Sequence, residues 1–100
     1  LGRQFRGDDI VGRIGGDEFI ILMRNVTTKE AVRTKAEQLL AETKKLVFKE
    51  MGGKGITISV GIALAPEHGK TYMNLYRGAD QALYETKRNG RNGFTIYGEN

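Results

Sequence analysis

Arg13-Ile14-Gly15-Gly16-Asp17-Glu18-Phe19, followed at once by Ile20-Ile21-Leu22-Met23, is the stretch that decides the fold. Two glycines between two apolar runs read as a tight hairpin, because consecutive positive φ angles are open to glycine. Val11 and Ile14 precede the turn and Phe19 to Met23 follow it, so both strands are expected to be buried on both faces. Two carboxylates stand directly after a backbone without side chains. A phosphate can approach such a turn closely, and a metal ion can sit on the acids beside it. An isolated turn of this kind is most often a hairpin with solvated acids. At the tip of a buried hairpin, however, paired acids are unfavourable unless a cation or a donor meets them.

Outward from the hairpin, Leu1 to Phe5 reads as the tail of a helix that ends at Gly7. Thr27 with Glu30 three residues later is a capping-box signal. The helix it opens carries Val32, Ala36, Leu39, Leu40 and Val47 on one stripe and stops at Gly52-Gly53. Ile56, Ile58, Val60, Ile62 and Leu64 alternate with small or polar residues, which predicts a strand ended by Pro66. A second amphipathic helix is expected from Tyr72 to Arg88, with Tyr72, Leu75, Tyr76, Ala79, Ala82 and Leu83 inward. Gly90 ends it, and Phe94 to Tyr97 forms a short last strand. The order strand, strand, helix, strand, helix, strand predicts an α/β (α+β sandwich) fold with a mostly antiparallel sheet.

One hundred residues make one small domain with a modest core. With no cysteine, there is no disulfide framework, thiolate metal site or cysteine nucleophile, which fits a reducing cytoplasm. No apolar run is long enough to cross a bilayer and no secretory signal is read, so this segment is expected to make no membrane contact. The net charge of +4 favours anionic partners. Glu30, Glu37 and Glu42 interleave with the lysines between Lys29 and Lys49, as on a solvated helix face, which argues against nucleic acid.

Four blocks in order carry a resemblance. They are Arg6-Gly7-Asp8-Asp9, the pentapeptide Gly15-Gly16-Asp17-Glu18-Phe19, Ser59-Val60-Gly61-Ile62-Ala63, and Ala79-Asp80-Gln81-Ala82-Leu83-Tyr84-Glu85-Thr86-Lys87 closed by Gly90-Arg91-Asn92. In these the chain resembles the GGDEF family of diguanylate cyclases, from its RxxD motif through its ADxALYxxK helix. The resemblance implies the nucleotidyl-cyclase and polymerase-palm architecture. It also implies that a first strand and most of two helices are missing, and with them a second metal-binding aspartate and the guanine-reading residues. The chain is therefore expected to be a single, N-terminally truncated domain.

The family reaction condenses two GTP into cyclic di-GMP and two pyrophosphates, as part of bacterial second-messenger signalling, and needs a homodimer. By the resemblance, Asp17 and Glu18 are the catalytic and metal-binding acids for Mg²⁺ or Mn²⁺. Gly15 and Gly16 let ribose and α-phosphate lie against backbone, and Lys87 and Arg91 take the triphosphate. Arg6 and Asp9 match the inhibitory site where an arginine and an aspartate clamp a guanine edge of cyclic di-GMP. Without the resemblance, Lys87 and Arg91 read as cations complementing a helix C-terminus. His68, the only histidine, reads as an exposed loop residue. The alternative to an enzyme is a regulatory module that binds GTP or cyclic di-GMP without turnover.

Overall fold

The computed structural model describes residues 2–5, 9–24, 28–50, 52, 57–65 and 67–98, the first of these segments by its backbone. Its elements run β1 (Gly2–Phe5), β2 (Asp9–Gly15), β3 (Glu18–Arg24), α1 (Lys29–Glu50), β4 (Ser59–Ala65), α2 (Tyr72–Arg88) and β5 (Gly93–Ile96). The strands form one five-stranded sheet in sequence order, β1-β2-β3-β4-β5. The α+β class is as expected, but two expectations fail. Residues 2–5 are an edge strand antiparallel to β2, not a helix tail. The sheet is also half parallel: β1–β2 and β2–β3 are antiparallel, whereas β3–β4 and β4–β5 are parallel. The reason is connectivity. A short turn reverses the chain, but a crossover helix returns it to the same end of the sheet, and α1 and α2 are both crossovers.

Strand period sorts the core into two layers. Phe19, Ile21 and Met23 of β3 join Val60 and Ile62 of β4 and meet Val32, Ala36, Leu39 and Val47 of α1. Ile20 and Leu22 point the other way, with Ala63, onto Leu75, Ala79 and Leu83 of α2. β3 is buried from Phe19 to Met23 as expected, but β2 is not buried throughout, since Arg13 and Ile14 are exposed.

Each helix shows its start in side-chain chemistry. The Thr28 hydroxyl accepts from the Ala31 N–H at 3.0 Å, so the cap of α1 is Thr28 and not Thr27, which lies outside the described residues. Thr71 caps α2 in the same way, accepting from the Asn74 N–H at 3.2 Å. Tyr72, expected inward, is exposed in the first turn of α2, while Gly78 and Thr86 complete its buried stripe.

Past β4, the Leu64 N–H donates to His68 Nδ1 at 2.9 Å, and the His68 N–H returns a bond to the Leu64 carbonyl at 2.8 Å. The ring stands edge-on to Tyr97 at 5.2 Å between centroids. His68 is thus a half-buried structural acceptor rather than an exposed loop residue. Burial lowers its pKa below the ordinary 6.5, against an opposing pull from Glu67. Glu67 and Lys29 line the same 210 Å³ cavity as the ring. Because the folded ring resists the proton that the unfolded chain accepts near 6.5, this stability is complete above that pH. It declines as pH falls from there through the lowered folded value. Thermal unfolding across this range is expected to show the decline in the wild type and a smaller one in His68→Asn, whose amide oxygen accepts the same bond at every pH. Equal slopes in both proteins would contradict the assignment.

Candidate active site

The β2–β3 hairpin turns at Gly16 and Asp17, while Gly15 pairs with Glu18 and the register shifts between Arg13 and Gly15. That irregularity absorbs one extra residue at Ile14, which is exposed. Neither Gly15 nor Gly16 has a positive φ, contrary to the sequence expectation. A Cβ on Gly16 would meet no other atom within 4 Å, and one on Gly15 would make only ordinary contact with Glu18, Oε1 at 3.7 Å. Nothing within the described chain therefore requires glycine at either position.

Four backbone and side-chain contacts hold the turn. Arg13 donates to the Gly16 carbonyl at 2.7 Å and pairs with Glu50, the last residue of α1, at 2.6 Å. The same guanidinium lies over the Phe19 ring, 5.4 Å from its centroid. From the next strand, the Ser59 N–H donates to the Asp17 carbonyl at 2.9 Å. Arg13 and Ser59 carry no motif signal for these roles, since each acts through a partner distant in sequence. The Asp17 side chain is left exposed at the tip.

Glu18 continues the even-numbered face of β3, the face that meets α2. Its carboxylate reaches two cations at the end of that helix: Oε1 is 3.4 Å from Lys87 Nζ, and Oε2 is 3.8 Å from Arg91 Nη1. The chain end of α2 is shaped to allow this. The Arg91 N–H donates to the Thr86 carbonyl at 2.9 Å, and Gly90, Arg91 and Asn92 all take positive φ, at 105°, 63° and 52°. Such backbone is uncommon for arginine and turns the chain sharply back toward β5. Thr86 itself is buried, bonding the Val60 carbonyl at 2.8 Å and the Thr95 hydroxyl at 2.6 Å. This hydroxyl, missed in the sequence, bolts the residue before Lys87 to two strands.

The structure therefore brings together Gly15, Gly16, Asp17, Glu18, Lys87 and Arg91. It does not bring Asp9 with them. Asp9 lies at the far end of the hairpin, opposite Met23, and its side chain has no accessible surface. Lys35 Nζ is 3.0 Å from Oδ2, close enough for an ion pair but outside hydrogen-bond geometry for either oxygen. The carboxylate is enclosed beneath α1, apart from the site at the hairpin tip. Arg6 lies outside the described residues.

As a metal site, the tip offers two carboxylates. Among the described residues no group of three or more potential ligand side chains gathers. Two acids fit Mg²⁺ or Mn²⁺ in the way these ions accompany nucleotides, with one or two carboxylates and the remaining positions filled by phosphate oxygens and water. Among the described residues no helix is long and apolar enough to cross a membrane.

The sequence matches the family profile described as "Diguanylate cyclase, GGDEF domain" over residues 1–93. The chain belongs to the GGDEF domain family. It is 33% identical over 102 residues to the probable diguanylate cyclase DgcT of Escherichia coli K12, covering 96% of this chain and 22% of that protein. It is 41% identical over 93 residues to the diguanylate cyclase DosC of the same strain, covering 92% of this chain and 20% of the relative. A third relative there, 36% identical over 90 residues, is the cyclic di-GMP phosphodiesterase PdeR, with 90% of this chain and 14% of PdeR covered. The chain thus spans about a fifth of the length of the curated cyclases it matches. No solved structure matches it significantly. Within this GGDEF domain, Gly15 to Phe19 form the hairpin tip, and Ala79 to Lys87 lie in α2.

Proposed function

We propose that this GGDEF domain acts in cyclic di-GMP synthesis, holding one GTP across the β2–β3 turn for condensation with a second GTP held by a partner domain. The observation that carries the reading is the meeting of Lys87 and Arg91 at Glu18, beside two glycines that the fold itself does not require. Two cations from a helix end and two open backbone positions suit a triphosphate followed by an α-phosphate and ribose. Substitutions that add a Cβ at Gly15 or Gly16 would occupy the surface the nucleotide needs.

In the condensation, the 3′-oxygen of one GTP bonds to the α-phosphorus of the other. The bond from that phosphorus to the pyrophosphate breaks, and the hydroxyl proton is released. Two such steps give cyclic di-GMP and two pyrophosphates. Lys87 and Arg91 balance the charge on the departing pyrophosphate, and Arg13 and Ser59 fix the turn that presents Asp17. Asp17 and Glu18 would hold the divalent cation, Mg²⁺ or Mn²⁺, which lowers the pKa of the attacking hydroxyl and offsets phosphoryl charge. Facing sites, one GTP each, make a homodimer the active form.

A second reading, a domain that binds GTP or cyclic di-GMP without turnover, draws support from the kinship with PdeR, a protein named as a phosphodiesterase. The full-length protein incubated with GTP and Mg²⁺, its products separated by chromatography, distinguishes the two. Cyclic di-GMP is expected. Unchanged GTP that nevertheless binds the protein would overturn the cyclase reading in favour of the regulatory one.

A further inference from the structure

The carboxylate proposed for the metal is the group that engages the cations proposed for the phosphates. Each Glu18 oxygen takes a different cation, Oε1 facing Lys87 and Oε2 facing Arg91. Glu18 and Lys87 are half-buried, with side chains 24% and 30% exposed, so their charges interact more strongly than on an open surface, while Arg91 is exposed at 53%. The Thr86 anchor and the turn at Gly90 hold the helix end in place, which leaves the side chains as the parts free to exchange partners.

We infer that Glu18 is a place-holding anion, and that polyphosphate and divalent metal bind this cleft cooperatively by exchanging its partners. This rests on the polyphosphate role proposed for Lys87 and Arg91. Polyphosphate binding alone must draw both cations from Glu18 and then lies beside an uncompensated carboxylate. Metal binding alone must draw Glu18 from its two cations and then lies beside them. Together the ligands satisfy every charge: phosphate oxygens take Lys87 and Arg91, and the metal takes Glu18. By linkage, whatever penalty Glu18 imposes on polyphosphate without metal returns as a gain in affinity when metal is present. No covalent step is involved.

The test uses the full-length protein and each ligand separately, so that metal–phosphate association in solution does not enter. Inorganic tripolyphosphate is titrated in the presence of a chelator, and Mn²⁺ is titrated without phosphate. Glu18→Gln is expected to tighten tripolyphosphate binding by about threefold to tenfold, and Asp17→Asn, an equal charge change one residue away, by less than about twofold. Lys87→Met is expected to tighten Mn²⁺ binding over the same range. Arg88→Met should leave it unchanged, because Arg88 pairs with Glu85 and not with Glu18.

Equal shifts in Glu18→Gln and Asp17→Asn, or in Lys87→Met and Arg88→Met, would reduce the effect to net charge and overturn the exchange. A Glu18 variant that fails to fold leaves the Mn²⁺ arm to decide. A different failure marks the underlying reading: if Lys87→Met and Arg91→Met leave tripolyphosphate affinity unaltered, the proposed phosphate site falls, and the exchange with it.

Discussion

Gly61→Ala is expected to destabilise the domain far more than a single added methyl ordinarily does. A Cβ at Gly61 would collide with the Ala79 carbonyl and the Leu83 N–H of α2, and would sit 2.8 Å from the Leu83 Cα. All three are backbone atoms, so no side chain can rotate away. Helix and strand would have to separate, opening the layer formed by Ile20, Leu22, Leu75, Ala79 and Leu83. Overpacking a core ordinarily destabilises by 1–3 kcal/mol, and a clash with helix backbone should reach about 3 kcal/mol or more. In a domain of this size that lowers Tm by roughly 15 °C. Differential scanning calorimetry reads it directly, and a variant within a few degrees of wild type would show that α2 does not lie on β4 as described. The glycine of the SVGIA block is thus explained by close approach of a helix, not by a turn.

The second large effect is chemical and leaves the fold alone. Asp17 holds the hairpin through its backbone carbonyl, bonded by the Ser59 N–H, while its side chain is exposed at the tip. Asp17→Asn should therefore keep Tm within a degree or two, as surface substitutions without partners do. Removing the exposed acid from the proposed metal-binding pair should lower cyclic di-GMP formation by the full-length protein roughly a thousandfold, the scale of losing a principal electrostatic group. Initial rates with saturating GTP and Mg²⁺ measure it. Retention of more than about a tenth of the activity would move the metal to other ligands.

Much of this architecture is legible in the chain, and the exceptions share a cause. The range of α2, Tyr72–Arg88, follows from its amphipathic stripe and from Gly90 beyond its end. β3 shows itself as an unbroken apolar run. Residues 2–5 are misread because four residues carry too little periodicity to separate helix from strand, and only pairing with β2 settles the matter. The parallel half of the sheet follows from the crossovers rather than from any strand's own residues. The site divides in the same way. Gly15, Gly16, Asp17, Glu18, Lys87 and Arg91 are visible as motif residues, but their meeting spans most of the chain. The pairing of Asp9 with Lys35 is not legible, because Lys35 lies on α1 and no local pattern announces an ion pair between strand and helix. The glycine pair is the converse case. The turn needs neither residue for its backbone, so a reason for them has to be sought beyond the packing of the described chain.

That reason is open to one decisive measurement. Gly16→Ala places a methyl within 4 Å of no described residue beyond its own chain neighbours, at a residue without positive φ, so its stability should equal the wild type's. If the turn is a surface on which GTP lies, cyclic di-GMP formation by the full-length protein should fall at least about a hundredfold while Tm is unchanged. Full activity with an unchanged Tm would contradict the account, because the turn would then be a hairpin and nothing more.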